Sequence, residues 1–212
     1  MVAPLDAVTV LHNALRRDLT EIDEAVYKVA RKGGDLSPLI GRLRWFTQVL
    51  DLHAQGEEEA VFPAVDRVAP LVAPLFVTDH REMDVMCDGL EQVVGAPDEL
   101  AAARAAAVLH SQLRIHLAKE DTHLYPILRE RMSPEDQAPI VGHMAGKIPP
   151  QLTPQFVNWL FPLVNQDDRV TMTTVQKALM PEEAFAGVRQ LIHEAVRADD
   201  WSDLTRRVPG LG

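Results

Sequence analysis

The chain has 212 residues, 47% of them apolar, with a formal net charge of −10 and one cysteine, Cys87. An acidic balance with no Lys/Arg cluster to offset it repels nucleic acid and anionic membrane surfaces, and no apolar run reaches the ~18 residues that a membrane span needs. A lone cysteine closes no internal disulfide, and the opening stretch MVAPLDAVTVLHNALRRDL has no basic region ahead of an apolar core, so a cytoplasmic protein without a secretory leader is expected.

Alanine and leucine abound, while β-branched and aromatic residues are too scattered for alternating strands, so the class is expected to be all-α. The first stripe is Val8, Leu15, Leu19, Ile22, Val26 and Val29, with His12 standing where the 3/4 spacing calls for an apolar residue. Gly33 and Gly34 end that helix, and Asp35 or Ser37 with Pro38 starts the next. Its stripe is Leu39, Leu43, Phe46, Leu50, His53, Glu57 and Ala60, and Pro63 and Pro70 are expected to break it. The third helix carries Phe76, His80, Met83, Cys87, Leu90 and Val94. Gly95, Ala96 and Pro97 turn the chain, Asp98 caps the fourth helix, and its stripe runs Ala106, Leu109, Leu113, His116, Glu120, Leu124 and Ile127. Short connections predict an antiparallel up-down-up-down four-helix bundle over residues 1–132. Counting at ~1.5 Å per residue from each turn brings the four histidines level to within about one turn.

Beyond Met132 proline becomes frequent and only short amphipathic pieces are legible, near 134–144, 153–164, 170–179 and 181–196, with Trp159, Phe161 and Phe185 as anchors. Residues 133–212 are therefore expected to form a helical extension packed on the bundle.

The chemistry lies in a repeat. HAQGEEEAVFPAV, starting at His53, and HLAKEDTHLYPIL, starting at His116, share a histidine, a glutamate four residues on, a following acid, an aromatic at the tenth place and a proline at the eleventh. Histidine and glutamate four apart project from one helix face, which is a metal-ligand spacing. A single histidine on an apolar face is ordinarily a packed core residue. Four imidazoles and two carboxylates in one layer would each cost several kcal/mol in desolvation unless paired, against a total stability of only ~5–15 kcal/mol. A cation removes that cost; a buried polar network that fixes helix register is the competing reading. Six nitrogen and oxygen ligands without thiolate are too many for one tetrahedral zinc and suit two octahedral ions bridged by Glu57 and Glu120.

The order His12, His53 with Glu57, His80, His116 with Glu120, and the endings EEEAVFP and EDTHLYP, resemble the hemerythrin-like (HHE cation-binding) family over about residues 5–132; the extension resembles the tail of longer bacterial members. The resemblance implies a four-helix bundle holding a non-haem pair of iron ions, oxo- or hydroxo-bridged, with those six residues as metal ligands. It implies a small ligand, dioxygen, peroxide or nitric oxide, and redox, oxidative or nitrosative stress chemistry or sensing. A reversible oxygen carrier, an iron store and a metal-clamped structural bundle are the alternatives. Peroxidase-type or nitric-oxide-oxidising turnover stays open, as does a protein partner reached through residues 133–212. The chain departs from the oxygen carriers at Asp84, where they have a fifth histidine. Those carriers also take a carboxylate five residues after the last histidine, here Asp121, but Glu120 lies about 40° around the helix from His116 and Asp121 about 140°. Glu58 and Asp121 are expected to accept hydrogen bonds from the imidazoles or to act as alternate ligands, and Tyr125 to be a core aromatic before it is a ligand.

Overall fold

The computed structural model describes residues 2–96 and 98–211; Pro97, expected in the third turn, lies outside them. The described residues contain helices and no strand, as the composition requires. The chain divides into two compact units, one formed by residues 15–131 and the other by the first fourteen residues together with those from Met132 onward.

The first unit is the bundle. Its helices are α1 (Asp6–Lys32, from Leu15), α2 (Ser37–Gly56) continued through a π-helical turn (Glu57–Val61) into α3 (Phe62–Val68), α4 (Ala73–Val94), and α5 (Glu99–Lys119) continued through a second π-helical turn (Glu120–Leu124) into α6 (Tyr125–Arg131). Gly33 sits at φ 71°, beyond the end of α1, where only glycine avoids a Cβ penalty. Asp98 caps α5 as expected, accepting from the Ala101 backbone N–H at 2.9 Å, whereas the N-cap of α2 is Leu36, which makes no side-chain cap bond, and Asp35 one residue earlier accepts from the Ser37 N–H at 2.8 Å.

Polar pairs close the four helices into a ring of antiparallel neighbours. Arg42 on α2 reaches Asp18 and Glu21 on α1. Thr47 donates to Glu91 across α2 and α4 at 2.7 Å. Lys119 pairs with Asp79 across α5 and α4, and His110 bonds Asp23 across α5 and α1 at 2.9 Å. Inside the ring, Leu15, Leu19, Ile22, Leu43, Phe46, Leu90, Leu109 and Leu113 are buried, which accounts for the four stripes.

The expectation that Pro63 breaks the second helix is corrected. The helix passes through Pro63 and continues to Val68 because the π-helical turn precedes it: the Phe62 N–H bonds the Glu57 carbonyl five residues back. In an α-helix Pro63 would lack its bond to residue 59 and its ring would press on that carbonyl. The wide turn relaxes both demands. The same device recurs before Pro126, where the Tyr125 N–H bonds the Glu120 carbonyl. A wide turn also moves the stripe by a residue. Val61 is buried where Ala60 was expected, and Leu128 where Ile127 was expected, so the seam runs 57, 61, 65 and 120, 124, 128.

In the second unit the described helices from Met132 on are α7 (Pro134–Gly146), α8 (Thr153–Leu163), α9 (Gln166–Leu179), α10 (Glu182–Ala195) and α11 (Ala198–Arg207), with a 3-10 turn at Pro150–Leu152. Their core includes Phe156, Leu160, Phe161, Phe185, Ile192 and Leu204. Trp159 is only half-buried, so of the three expected anchors Phe161 and Phe185 fill the interior. Arg169 ties this unit internally, donating to the Phe161 carbonyl at 2.8 Å and pairing with Asp200 at 3.0 Å. Helix α11 was not legible as a stripe: half of ADDWSDLTRR is charged, but acids begin the helix and its arginines end it, as the helix dipole favours, and Leu204 fastens it. No helix among the described residues is long and apolar enough to cross a membrane.

Candidate metal centre

Each copy of the repeat delivers its histidine from the end of a regular helix and its glutamate as the first residue of the π-helical turn. Glu57 and Glu120 have no solvent exposure, and His53, His80 and His116 are buried with them. One ligand atom from each of Glu57, His80, His116 and Glu120 lies within 4.8 Å of all the others, and His53 meets Glu57 and Glu120 by the same measure. Glu57 Oε2 is 3.4 Å from His53 Nε2 and 3.3 Å from His80 Nε2. Glu120 Oε1 is 3.0 Å from His116 Nε2 and 3.9 Å from His80 Nε2. The two carboxylates therefore sit among imidazoles of three helices, with the His80 and His116 rings 4.9 Å apart at their centroids. His12 is fully buried on α1, three residues before Leu15, and so shares the face of Leu15, Leu19, Ile22 and Val26.

The outer edges of two rings are held by carboxylates. His80 Nδ1 is 3.0 Å from Glu58 Oε1, and His116 Nδ1 is 3.1 Å from Asp79 Oδ2, which Lys119 also grips. A proton fixed on Nδ1 in this way leaves the Nε2 lone pair aimed inward. Nε2 of His80 and of His116 are buried and make no well-aligned hydrogen bond with any described residue, although carboxylate oxygens lie within 3.3 Å of each. Buried polar atoms normally find partners, and these are close in distance but misaligned for hydrogen bonding. Imidazole nitrogens and carboxylate oxygens converging in this way are the donor set that iron and similar divalent ions take once the imidazoles have given up their inner protons. The site fits a metal.

Without metal the cluster holds protons instead. Burial alone would depress the His80 imidazolium, but Glu120 and Glu57 outweigh it and raise its pKa to about 10. His116 is raised in the same sense, burial opposing and Glu120 prevailing. For Asp79 burial pushes upward, yet Lys119 and His116 hold the carboxyl below its usual range. Burial, reinforced by Glu57 and Glu120, drives the Tyr125 phenol well above its ordinary value, so it stays protonated and keeps a hydrogen to donate. It does so to Glu57 Oε1 at 2.5 Å. Phe62 stacks on His80 at 5.3 Å and Phe76 meets the edge of His116 at 6.1 Å, forming an apolar wall on that side.

Of the two acids expected to accept from the imidazoles, Glu58 bonds His80, whereas Asp121 pairs with Arg16; Asp84 is exposed. Asp79 was missed. It stands next to His80 in sequence yet serves His116 on another helix, and no spacing rule within one helix reveals such a bond. Tyr125 proves to be more than a core aromatic, since its hydroxyl engages Glu57.

Comparison with known proteins agrees with this chemistry. The family model described as the hemerythrin HHE cation binding domain matches residues 3–128 and, in an overlapping match, 71–145. The protein called zinc finger protein BRUTUS of Arabidopsis thaliana is 26% identical over 193 residues, covering 86% of this chain but 15% of its own length. A BRUTUS-like zinc finger protein of the same plant is 22% identical over 213 residues, covering 96% of this chain and 17% of its own length. The chain thus spans less than a fifth of these curated relatives. No solved structure matches.

Proposed function

Because the chain belongs to the hemerythrin HHE cation-binding domain family, we propose that it is a non-haem di-iron protein that meets dioxygen, peroxide or nitric oxide at a pair of irons held by His12, His53, Glu57, His80, His116 and Glu120. The observation that carries this reading is the buried convergence of Glu57, His80, His116 and Glu120, with two imidazole nitrogens left without hydrogen bonds inside it. Iron, when bound, supplies the electron-transfer chemistry toward small oxidants that no side chain offers.

The chain's own residues set the conditions for that chemistry. Glu57 and Glu120, which lie among the imidazoles, would hold the irons between them. Glu58 and Asp79 keep the proton of His80 and His116 on Nδ1, and so keep Nε2 available. Phe62 and Phe76 exclude water from one side of the rings. Asp84, at the place of the oxygen carriers' fifth histidine, is exposed, so an iron held here would have one imidazole ligand fewer, which would favour redox turnover over reversible storage.

That the relatives are named zinc finger proteins does not carry over to a cysteine-rich zinc site here. A thiolate-rich zinc site needs several cysteines, and this chain has only Cys87, buried in α4. A cytoplasmic setting, and a protein partner reached through residues 133–212, belong to the same proposal and would suit a sensing role.

The test is metal content per chain in aerobically purified protein, taken with near-ultraviolet and visible absorption. Two irons with the bands of a coupled ferric pair are expected, followed by multiple turnovers with peroxide or nitric oxide. A content near zero that anaerobic ferrous iron does not raise would leave a register-fixing polar network as the explanation of the cluster.

A further inference from the structure

Tyr125 and Phe62 hold equivalent places, nine residues after the histidine of each copy and at the close of each π-helical turn. Their side chains end differently. Phe62 presents a hydrocarbon ring that stacks on His80. Tyr125 presents a hydroxyl that donates to Glu57 Oε1 from a side chain with no solvent exposure. Glu57 Oε2 is the oxygen that faces the imidazoles, 3.4 Å from His53 Nε2 and 3.3 Å from His80 Nε2. A carboxylate begins with two oxygens of equal basicity, and a short bond from a neutral phenol engages one of them and lowers its donor strength toward a cation. Phe62 has no hydroxyl with which to do the same to Glu120.

We propose that Tyr125 is a positioning residue that commits Glu57 to metal binding through Oε2 alone, making the two glutamates of the repeat chemically inequivalent. The inference rests on the di-metal reading of the centre and concerns how one of its carboxylates binds. It gives the aromatic at the tenth place of the second copy a function that the first copy lacks.

A carboxylate bound through one oxygen shows a wider separation of its antisymmetric and symmetric stretches than one bound through both. Wild type and Tyr125→Phe are to be loaded anaerobically with ferrous iron, with iron per chain and the infrared difference spectrum recorded for each. The expected result is equal iron content, a widely split carboxylate pair in the wild type, and loss of that pair in Tyr125→Phe. Superimposable spectra at equal iron content would overturn the inference while leaving the di-metal centre standing. A phenolate-to-iron charge-transfer band in oxidised wild type, absent from the variant, would also overturn it, because Tyr125 would then be a ligand. If wild type takes up no iron, the di-metal reading falls and the inference falls with it; the iron assay separates that case from the others. If the variant fails to fold, wild type with isotope-labelled tyrosine serves instead. The chain has two tyrosines, Tyr125 and the exposed Tyr27, and iron loading should shift the C–O stretch of one protonated phenol. An unmoved pair of phenol bands would overturn the proposal.

Discussion

The two copies of the repeat share a backbone and differ in what surrounds them. Both run a regular helix up to a histidine, open into a π-helical turn at the glutamate, and place a proline after the aromatic that closes the turn. Yet the acid after the glutamate, Glu58 in the first copy, bonds His80, while its counterpart Asp121 pairs with Arg16. The second copy's own histidine, His116, is served from α4 by Asp79, which Lys119 neutralises. The comparison teaches that the ligand positions are set by the repeat, and the electrostatics around them by neighbours outside it.

Removing a ligand should break both copies at once, because their carboxylates lie among shared imidazoles. His116→Ala and His80→Ala are expected to lower retained iron from two per chain to one or none, measured by metal analysis after desalting. The next largest effect should separate the copies. Asp79→Asn is expected to weaken metal binding by about 10- to 100-fold, since it replaces the charged acceptor of His116 by a neutral amide and leaves Lys119 without its ion-pair partner. Glu58→Gln should cost less than about tenfold, because the Glu58 side chain is itself 42% exposed, so solvent already screens its charge, and the amide oxygen can still accept from His80 Nδ1. Competition with a chelator measures both, and equal losses would contradict the asymmetry described.

A smaller effect is expected with pH. In metal-free protein the His80 pKa is about 10, above the ordinary 6.5, so its contribution to stability is complete below about pH 6.5 and is lost as pH rises through 10. Denaturant midpoints of the metal-free form should therefore fall between pH 7 and 10, while those of the loaded form, whose imidazole nitrogen is taken by metal, should not fall with them. The smallest effects should come from Pro63→Ala and Pro126→Ala. Each restores a backbone donor beside an existing wide turn, and a change within about 1 kcal/mol is expected. Hydrogen exchange at the two turns should respond alike; a response in one copy alone would show that the turns are not equivalent.

The stripes and the convergence of the two glutamates with the histidines of the bundle were legible because helical periodicity is a property of single segments, and His53, Glu57, His80, His116 and Glu120 each stand where an apolar residue was due. The one-residue slip to Val61 and Leu128 was not legible. An α-periodic pattern carries no mark of where the helix widens, although two prolines at the same offset were the available signal. Asp79 escaped for a different reason: its role depends on which helix lies opposite, which is a tertiary fact. Helix α11 escaped because one buried leucine and a suitable order of charges make no stripe.

The wide turns also limit how these helices can change in length. Each π-helical turn amounts to one residue more than a regular helix of the same rise would hold. Deleting Glu59 or Thr122 would close the turn, and would put Pro63 or Pro126 into the interior of an ordinary helix at a cost of roughly 3 kcal/mol or more. Losing the proline alone leaves the turn free to persist. A viable route to a shorter helix in either half of the bundle therefore has an order: the proline is replaced first, and only afterwards can the extra residue go.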